Sequence, residues 1–515
     1  AVIWSGEIRG YSPSKLVAAR DLALFVPVLA LFFWLTRRQR HRGEMLLLTA
    51  AIFLFAIGLL MQFRLFSDPE YGARGGDRAK AREYKAQTVR LLNVETGYDD
   101  AKKAFLFGPG NEVPQKPSAN QIPVSERTFG DILRSFNTWI PVLALLAFAG
   151  GYRLFKNEKM LLWFQRHALI IGLATLIPFA VVAFLSEEGK FLGQTTPWEG
   201  VKIFFLMSFA GMLADTYPHL RRTHWGLPPA RYLLPFVLIA AMPVVPFFAL
   251  SDFGQMLVFF GVYVMLYVVA VRKRAQLVYA LVVVAMLFVG FYGASRLTTG
   301  FGIPGRVYFR FYQWVHTWEP PPSETWWWNR DYNRYLKAKN LTPDLNDPQE
   351  VKQRNAEAWA DKVLQQSQGL FGVNEGGVVG EGLGLGFPET VPISDSDFIY
   401  AALSEEMGLA GGLAILITLG VLIVAGTAVS IGANDMYTKL LAAGFTAFIG
   451  FQAIVNIGGV LRLLPMTGIT LPFVSHGGWS LITSFAMLGI LLAFSHRNAV
   501  SRPVVEKEPE FVPVR

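Results

Sequence analysis

Apolar runs approaching twenty residues recur from one end of this chain to the other, and no other feature limits its fold so severely. Residues 22–36, 47–62, 139–155, 161–185, 201–213, 232–250, 253–271, 277–292, 409–431, 440–460 and 481–494 form such runs. A segment crossing hydrocarbon must satisfy its backbone polar groups internally, so the pattern predicts about eleven transmembrane helices and an all-α polytopic membrane protein. One cleavable signal peptide does not account for a pattern spread over 515 residues, 52% of them hydrophobic.

Lysine and arginine exceed aspartate and glutamate by 47 to 38, a formal charge of +9. In a soluble protein that excess would point to nucleic acid; between membrane spans its distribution matters more, and no nucleic-acid partner is expected. Arg37, Arg38, Arg40 and Arg42 follow the first run, Arg153, Lys156 and Lys159 the third, Arg221, Arg222 and Arg231 the fifth, and Arg272, Lys273 and Arg274 the seventh. Such alternate basic loops are expected in the cytoplasm, which puts the N-terminus outside and a tail with Arg497, Arg502 and Lys507 inside. Three regions follow: an N-terminal helix with its basic loop (1–46), a membrane domain (47–495) and a cytoplasmic tail (496–515). The connectors 64–137 and 294–397 are expected outside as two large extracytoplasmic loops. Cysteine is absent, so disulfides are excluded and the compartment is left unmarked.

The first outer loop opens on charged, alanine-rich sequence, which reads as a surface helix, a solvated spacer or a docking segment. In the second, RVYFRFYQWVHTWEPPPSETWWWNRDYNRYLKAKN concentrates the amphipathic aromatics that settle at the headgroup layer, and the helix-compatible NDPQEVKQRNAEAWADKVLQQSQ follows. Next, GGVVGEGLGLGFPE excludes a regular helix and lets backbone approach a ligand. It lacks the Gly-Lys-Ser/Thr ending of a nucleotide P-loop, so ATP is not the expected ligand.

Ionisable residues near the spans are costly and mark chemistry or pairing. In PWEGVK, Glu199 and Lys202 share one helix face, either paired with each other or lining a cavity for a polar or anionic substrate. Asp252, in SDFG, caps the following helix or supports catalysis. Asp397 reads as a helix cap, and Glu405 and Glu406 read as a solvated helix face more readily than as metal ligands. The stretch TGITLPFVSHGGWS is too rich in proline, glycine and hydroxyls for a span, and is expected to dip in and line a wet cavity. There Gly477 and Gly478 allow close approach, Thr467, Ser475 and Ser480 supply hydroxyls, and His476 donates or accepts.

Together these motifs resemble the SEDS family (shape, elongation, division and sporulation), the group that includes RodA and FtsW. LLPMTGITLPFVSHGGWSLITS resembles its signature and PWEGVK its PSExxK, with Trp198 in place of serine. DFG at 252–254, QQSQGLFGVNEGGVVGEGLGLG and DFIYAALSEEMG follow in the family's order, and the resemblance covers residues 47–495. It implies a ten-helix core, here with one extra N-terminal helix. It also implies a multi-pass protein of the bacterial cytoplasmic membrane that polymerises lipid II on the outer side, releasing undecaprenyl diphosphate, with a class B penicillin-binding protein as partner. The rival readings are a flippase for the same lipid and a non-catalytic scaffold of a cell-wall complex.

The family's loop aspartate and the proline after it correspond here to His316 and Thr317, in RFYQWVHTW. The resemblance therefore leaves three candidates for the base: His316 itself, Glu319 and Asp347. Arg306, Arg310, Lys202 and Arg462 are the expected diphosphate contacts, because guanidinium and ammonium groups suit phosphate oxygens. A divalent cation, Mg or Mn, is compatible with this chemistry, although the ligand spacing specifies none. At His476 the family usually carries tyrosine, so orienting substrate suits that position better than moving a proton.

Overall fold

The computed structural model describes residues 15–68, 71, 136–175, 177, 198–221, 253–271, 302–325, 327–342 and 347–501. Among them the regular structure is helical throughout: α1 Lys15–Ala23, α2 Phe25–Phe33, α3 Leu46–Ser67, α4 Phe136–Phe155, α5 Glu158–Arg166, α6 Ala168–Ala174, α7 Trp198–Arg221, α8 Phe253–Val271, α9 Gly302–Val315, α10 Asn329–Ala338, α11 Pro348–Glu375, α12 Ile399–Ile431, α13 Met436–Val460 and α14 Gly478–Ser501. Among the described residues, six helical stretches are long and apolar enough to cross a membrane, which makes this a multi-pass membrane protein. They are Leu16–Arg38, Leu46–Ser67, Thr138–Phe155, Ile399–Ile431, Met436–Val460 and Gly478–Ser501; the apolar stretch Gly254–Ala270 is shorter. The expected runs 232–250 and 277–292 lie outside the described residues, as does most of the first outer loop.

Local chemistry explains where helices depart from the apolar runs. The first run is interrupted at Leu24, because Pro27 cannot donate to the carbonyl of Ala23 and its ring crowds that carbonyl. A five-residue π-turn, Trp34–Arg38, then closes the span. The expected single helix over 161–185 divides at His167, whose backbone leaves the helical region and whose Nδ1 lies 2.8 Å from the Trp163 carbonyl oxygen. Asn157 caps α5 by accepting from the Lys159 amide at 3.0 Å, and Asp435 caps α13 by accepting from the Thr438 amide at 2.7 Å. Helix α12 begins ten residues before the expected 409 and is kinked at Gly408, whose φ of 65° only glycine adopts readily.

Helix α13 is the buried centre, packed against α7, α8 and α12, while α14 packs along α4. That second pair approaches closely because Gly489 faces the carbonyl of Phe148 and Gly151 faces Ala486. Helix α14 also fixes the two ends of the bundle, roughly 36 Å apart for its 24 residues. At its C-terminal end the basic loop docks: Arg42 donates its amide to His496 Nδ1 at 3.1 Å, Glu44 donates its amide to Ser495 Oγ at 2.7 Å, and Lys156 donates to the Gln39 carbonyl at 3.0 Å. Its N-terminal end meets the stretch 467–477.

Beyond that second end, α9, α10 and α11 enclose a separate aromatic core. Trp327, Trp328, Tyr332 and Trp359 are buried there against Phe309 and Tyr312. Two indoles are satisfied from within: Trp359 donates to the Thr317 carbonyl at 2.9 Å and Trp328 to Asn355 Oδ1 at 2.7 Å. The aromatic loop is thus a folded module with its own interior.

Glu405 and Glu406 do not form a solvated face; they are 2% and 1% exposed. Arg64, at the end of α3, donates to Glu406 at 2.9 Å, Glu389 at 3.0 Å, Asp68 at 3.3 Å and the Gly386 carbonyl at 3.1 Å. The glycine-rich loop folds over these carboxylates, with the Gly384 amide donating to Glu406 at 3.0 Å and the Phe387 amide to Glu405. Gly377, Gly380, Gly382 and Gly384 all have positive φ, so the glycines permit a tight wrap around buried charge.

Candidate functional site

Residues 466–477 run without regular helix between α13 and α14, and their backbone is satisfied by amide and hydroxyl side chains. Asn456 Nδ2 donates to the carbonyls of Asp397 at 2.8 Å and Ile469 at 2.5 Å. One turn earlier on α13, Gln452 Nε2 donates to the Thr470 carbonyl at 3.0 Å and to Ser480 Oγ at 3.2 Å. Ser475 Oγ donates to the Ser396 carbonyl at 2.6 Å and accepts from the Leu471 amide at 2.7 Å. The His476 amide donates to the Asp395 carbonyl at 2.8 Å, and its Nδ1 lies 3.2 Å from Gln62 Oε1 on α3. This stretch therefore joins α3, α13, α14 and the segment before α12.

Two further helix ends reach it. At the start of α8, a Cβ on Gly254 would stand 2.7 Å from Thr467 Cβ and 2.6 Å from Ile469 Cγ1, so only glycine admits this contact. The next residue, Gln255, donates to Glu199 Oε1 at 3.1 Å, and Lys202 donates to the other oxygen of Glu199. Both partners are buried on α7, with the Lys202 ammonium 4.8 Å from the centre of the Phe448 ring. Of the two sequence readings, pairing is the arrangement observed. Glu199 is linked to the turn through Gln255. Lys202 lies deeper, since Phe448 precedes Asn456 on α13 by roughly 12 Å of helix rise.

The remaining candidates divide by position. Arg310 reaches down from α9 and donates to the Met466 carbonyl at 2.6 Å. Arg462 donates to the carbonyls of Trp314 at 2.7 Å and Val315 at 2.8 Å, closing the C-terminal end of α9. His316 and Glu319 come just after that end and face each other, with Nδ1 3.1 Å from Oε2, at 44% and 77% side-chain exposure. Asp347 accepts from the Gln349 amide at 2.9 Å as the cap of α11. Helix α11 meets Phe398 at Gly369, which puts Asp347 roughly 33 Å away along the axis, and nothing brings it to the turn. Thr467, Ser475, His476, Gly477, Gly478 and Ser480 all lie in or beside the turn. Asp252 and the Arg306 side chain lie outside the described residues.

A small pocket opens between the turn and the start of α12, lined by Asp397, Asn456, Met466, Thr467 and Gly468. Asp397 does not cap α12: the capping position is Phe398, and no side chain bonds there. Instead the Asp397 carboxylate lies 3.5 Å from where a Cβ on Gly468 would sit. Burial raises its pKa to about 6, with Asp395 acting in the same direction and Ser396 and Arg310 opposing. The amides Gln452 and Asn456 carried a legible signal, since two polar side chains four residues apart inside an apolar run share one helix face. Among the described residues, no group of three or more histidines or carboxylates is arranged to hold a metal ion. The pocket is lined by one carboxylate and one carboxamide residue, with the Thr467 hydroxyl among its lining and Arg310 held at Met466 beside it, a set suited to a ligand bearing hydroxyls and negative charge.

Comparison with known proteins gives matches along the chain. The family described as "Cell cycle protein", which groups FtsW, RodA and SpoVE, matches residues 337–500. The peptidoglycan glycosyltransferase RodA of Mycobacterium tuberculosis is 45% identical over 129 residues, 25% of this chain and 28% of that protein. Its counterpart in Mycobacterium leprae is 28% identical over 367 residues, 69% of this chain and 68% of that protein. The chain thus spans under a third of the first relatives it matches. A chain of a solved complex described as a "peptidoglycan synthase complex" that coordinates "polymerization and crosslinking" aligns over 72% of this chain and 92% of its own length. Identity there is 20% and the TM-score is 0.49, too low to carry a structural argument.

Proposed function

This chain belongs to the SEDS family, the FtsW, RodA and SpoVE group, and on that premise we propose that it is a peptidoglycan glycosyltransferase that polymerises lipid II. The observation that carries the reading is the meeting of α3, α8, α13 and the segment before α12 on one polar turn, at the end of the bundle opposite the basic loops. Under the positive-inside rule that end faces the exterior, with the C-terminus in the cytoplasm.

The chemistry divides between the two environments that meet there. Apolar helix surfaces accommodate the polyprenyl tail, and the polar turn holds the diphosphate and sugars. Arg310, and Arg306 one turn earlier on the same helix, are proposed to contact the diphosphate, with Arg462 holding the end of that helix in place. Lys202 contributes positive charge from below. The 4-hydroxyl of the acceptor sugar loses its proton, its oxygen bonds to the anomeric carbon of the growing chain, and the bond from that carbon to the diphosphate breaks. Undecaprenyl diphosphate leaves with the electron pair. A class B penicillin-binding protein is the proposed partner.

The test is direct. Purified protein with its class B partner, given labelled lipid II with Mg2+ or Mn2+, is expected to make glycan strands that a muramidase digests. No strands under either cation, from protein that still binds lipid II, contradicts the reading.

A further inference from the structure

Asp397 and Asn456 both line the pocket described above, and the Asn456 amide is only half satisfied among the described residues. Asn456 is 4% exposed, and both of its amide hydrogen bonds go to carbonyl oxygens, those of Asp397 and Ile469. Two carbonyl partners fix the amide orientation, because only the nitrogen can donate to them. Its Oδ1 is therefore the buried oxygen left over, with no hydrogen-bond partner among the described residues. A buried amide oxygen left alone is costly, so a group that donates to it is expected as part of the working state.

Asp397 supplies the second acceptor. Its main-chain carbonyl is held by Asn456, and its side chain lies against Gly468, whose φ of 74° and missing Cβ leave room beside the carboxylate. Ser396 Oγ donates to Oδ1 at 3.3 Å, a long bond that leaves the carboxylate most of its accepting capacity. Among the described residues the charged groups acting on it are Asp395 on its own segment and Arg310 from α9, and the polar side chain that α13 brings to the pocket is the neutral Asn456. An ionised carboxylate accepts only, and so does an amide oxygen. Two residues with acceptor oxygens lining one pocket suit a donor, and a hydroxyl is the donor that a sugar carries.

We propose that Asp397 is the catalytic proton acceptor for the attacking sugar hydroxyl, with Asn456 Oδ1 as the second oxygen that orients it. This assignment rests on the glycosyltransferase reading above. It moves the base from the exposed loop groups His316 and Glu319 into the pocket. In the step, a carboxylate oxygen of Asp397 takes the hydroxyl proton as the sugar oxygen bonds to the anomeric carbon, and the diphosphate leaves with the electrons of the broken bond. The proton passes to water when the product departs. Burial places the carboxyl near pKa 6, within reach of the working pH for a general base.

The experiment compares wild type, Asp397→Asn, Asp397→Glu and Glu319→Gln as full-length protein with the class B partner. It measures lipid II polymerisation across pH 5–9 and separately the binding of labelled lipid II. Asp397→Asn is expected to lose about 100-fold or more in rate while binding lipid II within a few-fold of wild type. Wild type is expected to lose rate below about pH 6, and Asp397→Glu to keep measurable activity with that acidic limb displaced. Should Asp397→Asn not fold, the Asp397→Glu profile decides: an unmoved acidic limb overturns the assignment. So does full activity of Asp397→Asn with the loss confined to Glu319→Gln, which leaves the polymerase reading standing. Wild type that binds lipid II and makes no glycan overturns both.

Discussion

At pH 8 the Asp397 carboxylate is ionised beside Gly468 and Asn456, where little water reaches it, and the fold bears the cost. Its folded pKa of about 6 stands above the ordinary value of 3.8, so folding favours the protonated form. Stability is accordingly unaffected at pH values below both, declines as pH rises from about 4 to 6, and carries the full penalty above that. The penalty is at most about 3 kcal/mol, less whatever residual solvent contact removes. Asp397→Asn should therefore unfold at a higher temperature than wild type at pH 8, with the difference shrinking towards pH 4. An unchanged gap between those two pH values would show that the carboxyl is not strained by burial. Arg64 presents the opposite case, a cation on which several carboxylates depend. Arg64→Ala should cost about 3–5 kcal/mol, because Glu406, Glu389 and Asp68 keep their charges and lose their partner. Removing a charge with Glu406→Gln in the same protein should recover part of that loss. Thermal unfolding of the purified variants in detergent checks both, and a neutral Arg64→Ala would contradict the buried network.

Among the elements, the reading of the apolar pattern succeeds where one helix occupies one run. Helix α8 coincides with the expected 253–271, and α3, α4, α13 and α14 extend their runs by a few residues into polar caps. It fails at His167, where the backbone leaves the helical region, because hydropathy does not register such a change; at Pro27 the interruption is local and the stretch Leu16–Arg38 still spans. Glu405 and Glu406 were unreadable for another reason. Their surroundings come from Arg64, 342 residues from Glu406, and no local pattern announces a partner at that distance. Asp347 shows the reverse: aspartate before proline is a helix-start signal, and it acts as one at α11. The crossing of α4 and α14 gives a prediction at this scale. Gly489 touches the Phe148 carbonyl, so Gly489→Val must force the helices apart, at a cost of about 1–3 kcal/mol. Gly150 has open space where a side chain would go, so Gly150→Ala should leave the unfolding temperature nearly unchanged. Equal effects of the two substitutions would contradict the packing described.

As a whole, the molecule separates its charges along one axis. Basic groups of the loop after α2 and of the α4–α5 junction gather at one end, and the polar turn, α9 and the aromatic module gather at the other. This separation was legible in the sequence through alternating basic loops and the glycine-rich turn. Gln452 and Asn456 stand out as polar positions in an apolar run, but that they and Asp395 and Asp397 hold this turn was not legible, because they meet it only after α12 and α13 have packed. A chain with no cysteine allows the central claim, an outward pocket that receives a lipid-linked sugar, to be probed at a single atom. In cells carrying Thr467→Cys, a membrane-impermeant maleimide added outside is expected to label the protein, and lipid II is expected to slow that labelling in purified protein with its partner. Labelling only after the cytosolic face is opened, or labelling that lipid II leaves unchanged, would contradict the account.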